Sequence, residues 1–208
     1  VKTLLQKHIS EVESGIKSEI KPGQVNINDN IQLELNLYFK DFFIRGGIAL
    51  SYLVKFASFL GYNISFIYQK DRDFETGIKK FLEKHNSPLM EFLVDRVRTE
   101  RVHWYTTFRK TRNDIEHEGW NLPNIKYSLE NGQIKVLVPK FTDTLSINEG
   151  VDFLWIKLME FCEEMVVMLI STKLPPHFAI VHLPKEKRDL KNPVRYQVVL
   201  ALNGLPQI

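Results

Sequence analysis

The chain has 208 residues, 44% of them apolar and 25% charged, which is enough to bury a sizeable core and ordinary for a soluble globular protein. Its formal net charge of +3 is too small to define a polyanion-binding protein by itself, so any nucleic-acid contact must come from basic residues concentrated locally. A single cysteine, Cys162, excludes an internal disulfide and a multi-cysteine metal site and favours a reducing, cytoplasmic setting.

Residues 1–20 place Val1, Leu4, Leu5, Ile9, Val12, Ile16 and Ile20 at helical spacing, which predicts an amphipathic helix stopped by Lys21-Pro22-Gly23-Gln24. This charged start lacks the apolar stretch of a signal peptide, and none is expected. Asn28 or Asp29 then caps a second helix over about 30–60, with Ile31, Leu35, Tyr38, Phe39, Phe42 and Phe43 on one side. The alternation of Ile31, Leu33, Leu35 and Leu37 also suits a strand, but the length of the run favours a helix. Gly46-Gly47 in its middle predicts either a weakened, kinked helix or the close approach of a neighbour. The most apolar run, Phe42 to Tyr62, contains Arg45 and Lys55; it reads as a core helix, and no membrane contact is expected. Gly61-Tyr62-Asn63 ends it, and Asn63–Tyr68 is an extended piece or a loop.

A short helix follows over Phe74–Lys84, with Ile78, Phe81 and Leu82 inward; Asp71-Arg72-Asp73 before it reads as a solvated loop. Ser87 as N-cap and Pro88 at the first helical position open a long helix to about His117, with the apolar stripe Leu89, Leu93, Val97, Trp104, Phe108 and Ile115. The period changes at Asn124–Lys140, where Asn131-Gly132 between two alternating runs predicts a hairpin with a tight turn. Asn148 or Glu149 to Leu174 is another long helix, with Val151, Leu154, Trp155, Leu158, Phe161, Cys162, Met165, Met168 and Leu169 as its buried face. Cys162 is expected to be a buried structural thiol. In the tail, strand-like Phe178–Leu183 and Tyr196–Leu202 flank a polar loop with Lys185, Lys187, Arg188, Lys191 and Arg195. The expected fold class is mainly α: a four-to-five-helix up-and-down bundle with a small antiparallel β appendage. It forms a single domain over 1–208, with the hairpin 124–140 and the tail 177–208 as additions.

Two features of the long helix carry chemistry. Arg98, Arg101, Tyr105, Arg109 and Arg112 follow one another in steps of three and four and form a basic stripe suited to RNA, or equally a solvated flank interleaved with Glu91, Asp95 and Glu100. At its end, Arg112-Asn113-Asp114-Ile115-Glu116-His117 gathers a guanidinium, an amide and an imidazole, with Arg109, Asn113 and His117 on one face. A guanidinium matches phosphate oxygens, and an imidazole transfers protons near neutrality. The plain alternative is an Arg112–Glu116 ion pair, with His117-Glu118-Gly119 as an ordinary helix C-terminus. His8, His85, His103, His177 and His182 are scattered, and no metal-ligand spacing is found.

The string Arg112-Asn113-x-x-x-His117, late in a long helix and followed by Gly119 and Trp120, resembles the Arg-x4–6-His signature of HEPN domains. The matching helices cover roughly two-thirds of the chain. The resemblance implies a compact helical bundle that forms a homodimer. It also implies metal-independent endoribonuclease activity without a cofactor, by attack of a ribose 2′-hydroxyl on the adjacent phosphorus. By position, Arg112, Asn113 and His117 are the catalytic set, and Arg98, Arg101, Tyr105 and Arg109 line the RNA-binding side. Non-catalytic members bind RNA or a protein partner, often a nucleotidyltransferase acting as antitoxin in a toxin–antitoxin pair.

Overall fold

The computed structural model describes residues 1–21, 24–188 and 195–200. The chain is mainly helical, with small antiparallel sheets of two strands each. By its internal contacts it divides into two units, Val1–Ile48 with Arg101–Met159, and Ala49–Glu100 with Glu160–Ile208.

In the first unit, α1 (Lys2–Glu13) ends sooner than its apolar spacing predicts. Gly15 takes φ +82°, Ile16 and Lys17 bond back to the Glu11 carbonyl, and Ile16 is left exposed. The chain turns into a hairpin of β1 (Ser18–Lys21) and β2 (Gln24–Ile27), so the helix expected over 1–20 is corrected to a helix and a strand. The strand was hidden because Ile16 and Ile20 continue the helical spacing of α1, although both side chains are exposed. The expected stop at Pro22-Gly23 lies outside the described residues.

The long helix α2 (Ile31–Phe59) begins at Asn30, whose carbonyl accepts from Leu33 and Glu34. Neither expected cap serves, because the Asp29 carboxylate is engaged elsewhere. It accepts from His8 Nδ1 at 2.7 Å and from Lys17 Nζ at 3.1 Å. With its proton on Nδ1, the His8 ring leaves Nε2 to accept from the Tyr127 hydroxyl at 3.0 Å. His8 is 1% exposed, so this chain of bonds fixes α1 against the segment before α2 and against the later hairpin. Burial raises the Asp29 pKa, but the hydrogen bonds from His8 and Lys17 outweigh it and hold the carboxylate below its ordinary value. A depressed carboxylate pKa contributes stability above the unfolded-state value that is lost as pH falls through the folded one. Asp29→Ala is therefore expected to cost about 3 kcal/mol at neutral pH, with two charge-assisted bonds removed and His8 left without its acceptor. The difference from wild type should shrink below pH 4 in urea melts taken across the acid range.

The first unit's core is built on Leu35, Phe39 and Phe43 of α2, with Trp104, Phe108, Leu154 and Leu158. Phe43 stacks on Phe108 at 5.1 Å between ring centres, and Phe39 on Trp120 at 5.1 Å. The hairpin of β3 (Lys126–Glu130) and β4 (Gln133–Leu137) forms as expected, with Asn131 at φ 52° and Gly132 at φ 77° in its turn. α6 (Ile147–Ser171) starts at half of a capping box, missed in the sequence: Ser146 N–H donates to the Glu149 carboxylate, and so does Ser146 Oγ. Trp155, expected inside, is 52% exposed.

In the second unit, Gly61 at φ +90° ends α2 with paired bonds from Gly61 to Ser58 and Tyr62 to Ala57. A 3-10 turn (Ser65–Tyr68) replaces the extended piece or loop expected there. α3 (Asp71–Lys84) takes Asp71 and Asp73 into its first turn, where they complement the helix dipole, so the loop expected at these residues is corrected. Ser87 caps α4 (Pro88–Glu100) by accepting from Met90. Cys162, expected to be buried, is half-buried, and desolvation pushes its thiol up to about 11. The tail strands β5 (Phe178–His182) and β6 (Tyr196–Leu200) pair antiparallel from Phe178↔Leu200 to His182↔Tyr196.

Arg195 is not part of a solvated loop. Its guanidinium is 15% exposed, donates to Glu163 and to the Glu160 carbonyl, and faces Glu164 at 3.5 Å. Glu164 in turn holds Arg96, which also meets the buried Glu100 at 2.8 Å. This network ties the start of β6 to α6 and α4, and paired acids are what make burial of two guanidiniums tolerable. Lys191 and the last two residues of the expected strand Tyr196–Leu202 lie outside the described residues.

Candidate functional site

The motif helix is not the uninterrupted helix that its spacing predicts. α4 passes into a π turn (Arg101–Tyr105) before α5 (Thr106–His117). Thr106 Oγ1 closes the wide turn by donating to the Arg101 carbonyl at 2.7 Å. The turn lets two consecutive aromatic residues, Trp104 and Tyr105, both be buried. It also inserts one residue, about 100° of rotation, into the register that would align Arg98 with Arg109 and Arg112.

The stripe is consequently divided. Arg98, in the second unit, is held by Glu75 at 2.6 Å and by Asp95 at 3.0 Å. It lines a shallow depression of about 470 Å³ that also carries Lys79 with Glu75, Glu83 and Glu91, so acids outnumber bases there. In the first unit, Arg101, Arg109 and Arg112 surround Tyr105. Tyr105 is 6% exposed, and burial raises its hydroxyl to about 12 against the pull of those three charges. Its ring backs the arginines from the core and presents no face for a base to stack on.

α5 is anchored by Phe108 and Ile115, both buried. Gly46 and Gly47 of α2 remain helical and accept α5 closely. A Cβ at Gly46 would lie 2.6 Å from Phe108 Cζ, and one at Gly47 would lie 2.8 Å from Arg112 Cδ and collide with Nε. The Gly-Gly pair therefore marks close packing and not a helix break. Arg112 lies in the notch that Gly47 leaves, with Nε buried and without a hydrogen-bond acceptor among the described residues. Its Nη2 donates to Glu116 Oε1 at 2.8 Å. Asn113 is half-buried and His117 is exposed on the last turn.

The exit from this helix is held by side chains that give no signal in the sequence. Gly119 takes φ +66°, and Trp120 N–H reaches back to the Asp114 carbonyl at 3.2 Å. Gln32, Asn36 and Lys40, one turn apart on α2, then bond successive parts of the following segment. Lys40 donates to Asn121 at 2.9 Å, Asn36 accepts from Leu122 N–H at 2.7 Å, and Gln32 accepts from Ile125 N–H at 3.0 Å. Both ends of the motif thus rest on one helix, α2. Chemically the arrangement offers an accessible imidazole, an amide one turn before it, and a seated guanidinium with one edge on a carboxylate.

Comparisons with protein-family models, with curated proteins and with solved structures found no match. Among the described residues no group of three or more His, Cys, Asp or Glu is arranged to hold a metal ion.

Proposed function

We propose that this chain is a HEPN-like, metal-independent endoribonuclease that acts as a homodimer. One observation carries the reading: Arg112 is seated in a notch that exists because position 47 has no side chain. A solvent-facing ion pair with Glu116 would need no such seat. In this reading a ribose 2′-oxygen attacks the adjacent phosphorus, the bond to the 5′-oxygen breaks, and a 2′,3′-cyclic phosphate and a 5′-hydroxyl remain. His117 from one protomer takes the 2′-hydroxyl proton, and its counterpart delivers a proton to the leaving 5′-oxygen. Arg112 stabilises the charge that develops on the phosphorane oxygens, and Asn113 orients a non-bridging oxygen or the imidazole. Arg101 and Arg109 hold the backbone beside them.

A second reading is favoured by the Arg112–Glu116 contact, which already occupies one edge of the guanidinium. It makes the chain a non-catalytic HEPN-like module for RNA or for a protein partner such as a nucleotidyltransferase antitoxin. The two separate in one assay. The purified protein is incubated in EDTA with a set of RNAs and with matched strands carrying 2′-deoxy sugars. Cleavage of the ribose strands alone, leaving cyclic-phosphate ends, is the expected result. Salt-dependent binding with every strand intact would transfer the function to the binding module.

A further inference from the structure

Glu116 stands where helix stability does not call for a carboxylate. It lies in the last turn of α5, beside His117, and the negative end of the helix dipole disfavours an acid there. Its contact with Arg112 spans four residues with the base first, the less favourable order for such a pair. The two side chains are 35% and 28% exposed, and an ion pair that reaches solvent is weak.

The guanidinium that Glu116 holds has little freedom. Arg112 Cδ and Nε fill the notch at Gly47, and Nε is buried with no acceptor among the described residues. An anion arriving from solvent must therefore meet the Nη end, where Nη2 already donates to Glu116 Oε1 at 2.8 Å. A phosphate that takes both Nη nitrogens has to take Nη2 from the carboxylate. Carboxylate and phosphate compete for one position. Arg101 and Arg109 act with Arg112 on the Tyr105 hydroxyl, so this position lies among gathered positive charge, which suits a phosphate.

We propose that Glu116 is a positioning residue that acts through Arg112. Its carboxylate stands in for an RNA phosphate, holds the guanidinium in place while the site is empty, and is displaced when the strand binds. The resting protein is thereby restrained, because binding must break this pair and leave Glu116 beside the bound strand. The inference rests on the RNA ligand of the proposed function, and its test is binding, which does not depend on cleavage.

The probe is a short fluorescein-labelled RNA with 2′-fluoro sugars, which lacks the attacking hydroxyl and stays intact. By fluorescence anisotropy in EDTA, Glu116→Gln should bind it about three- to tenfold more tightly than wild type, with no pair to break and one less charge to repel the strand. Its log–log salt dependence should steepen by about 0.7, the value for one further phosphate contact on a single strand. Its melting temperature should stay at or slightly above that of wild type, since the helix dipole no longer opposes the side chain. Glu118→Gln removes the same charge two residues on, at an exposed position, and should gain about twofold at most through screened repulsion alone. In an Arg112→Gln background, Glu116→Gln should gain no more than that.

A Glu116→Gln protein that binds no more tightly than Glu118→Gln would overturn the role, as would a gain that persists without Arg112. Weaker binding together with a melt several degrees below wild type would overturn it too, by making the pair structural. Absence of binding by wild type and every variant would remove it along with the RNA reading. The expected tightening without cleavage of ribose strands would leave Glu116 in its role and remove the ribonuclease reading. Cleavage by wild type, with an affinity that Glu116→Gln leaves unchanged, would do the reverse.

Discussion

His117→Ala should lower RNA cleavage in EDTA by about 10²–10⁴-fold, the usual contribution of a positioned acid–base group. The residue is exposed at the end of α5, so little packing is lost with it. A cationic His at a helix C-terminus contributes at most about 1 kcal/mol through the dipole, and the melting temperature should move by only a few degrees. Activity and stability therefore separate at this position. They should not separate at Arg112, whose buried Nε makes Arg112→Ala a change in packing as well as in charge. Equal cleavage by wild type and His117→Ala, at matched purity, would remove the motif from the mechanism. A loss of cleavage accompanied by a collapse of the melt would assign His117 a structural role instead.

Phe108→Ala should destabilise the protein by about 3–5 kcal/mol, the range for deleting a fully buried aromatic ring. Phe108 is 1% exposed. Its ring stacks on Phe43 and meets Trp104 edge-on, while its Cζ fills the space where a Gly46 side chain would project. For a chain of this size that loss corresponds to roughly 10 °C in melting temperature, a large part of a total stability of about 5–15 kcal/mol. The complementary change, Gly46→Ala, presses on the same ring from α2 and should cost about 1–3 kcal/mol. A Phe108→Ala protein that melts within 2 °C of wild type would show that α5 is not anchored by this ring. The seat of Arg112, one turn further along, would then need another explanation.

Local rules were sufficient for much of the fold. Period 3.6 marked α2, α4 with α5, and α6. Ser87-Pro88 opened a helix, Gly61 closed one, and Asn131-Gly132 turned a hairpin, because each of these depends on φ angles and hydrogen bonds within a few residues. The chemical inventory of the candidate site, Arg112, Asn113 and His117, was also legible, since its members share one helix. The failures have physical causes of two kinds. Where helical apolar spacing runs on past the end of the helix, as at Ile16 and Ile20, a hairpin passed for a helix. Where a backbone irregularity is set by packing, as at the π turn that buries Trp104 beside Tyr105, a regular helix was the only available reading.

Everything that makes the motif a place, and not merely a string, is tertiary. Gly47 shelters Arg112 from 65 positions away, and Gln32, Asn36 and Lys40 fix the segment after His117 from a helix that no local signal connects to it. Asp29 is drawn from capping α2 to neutralising His8, and Arg195 from a polar loop to the acids of α6. In each case a polar or charged group chose its partner by the cost of burial without one, and that cost exists only once the helices have packed. The sequence by itself determined which segments are helices and which residue types are at hand for chemistry. The tertiary structure decided which charges are engaged and which are presented.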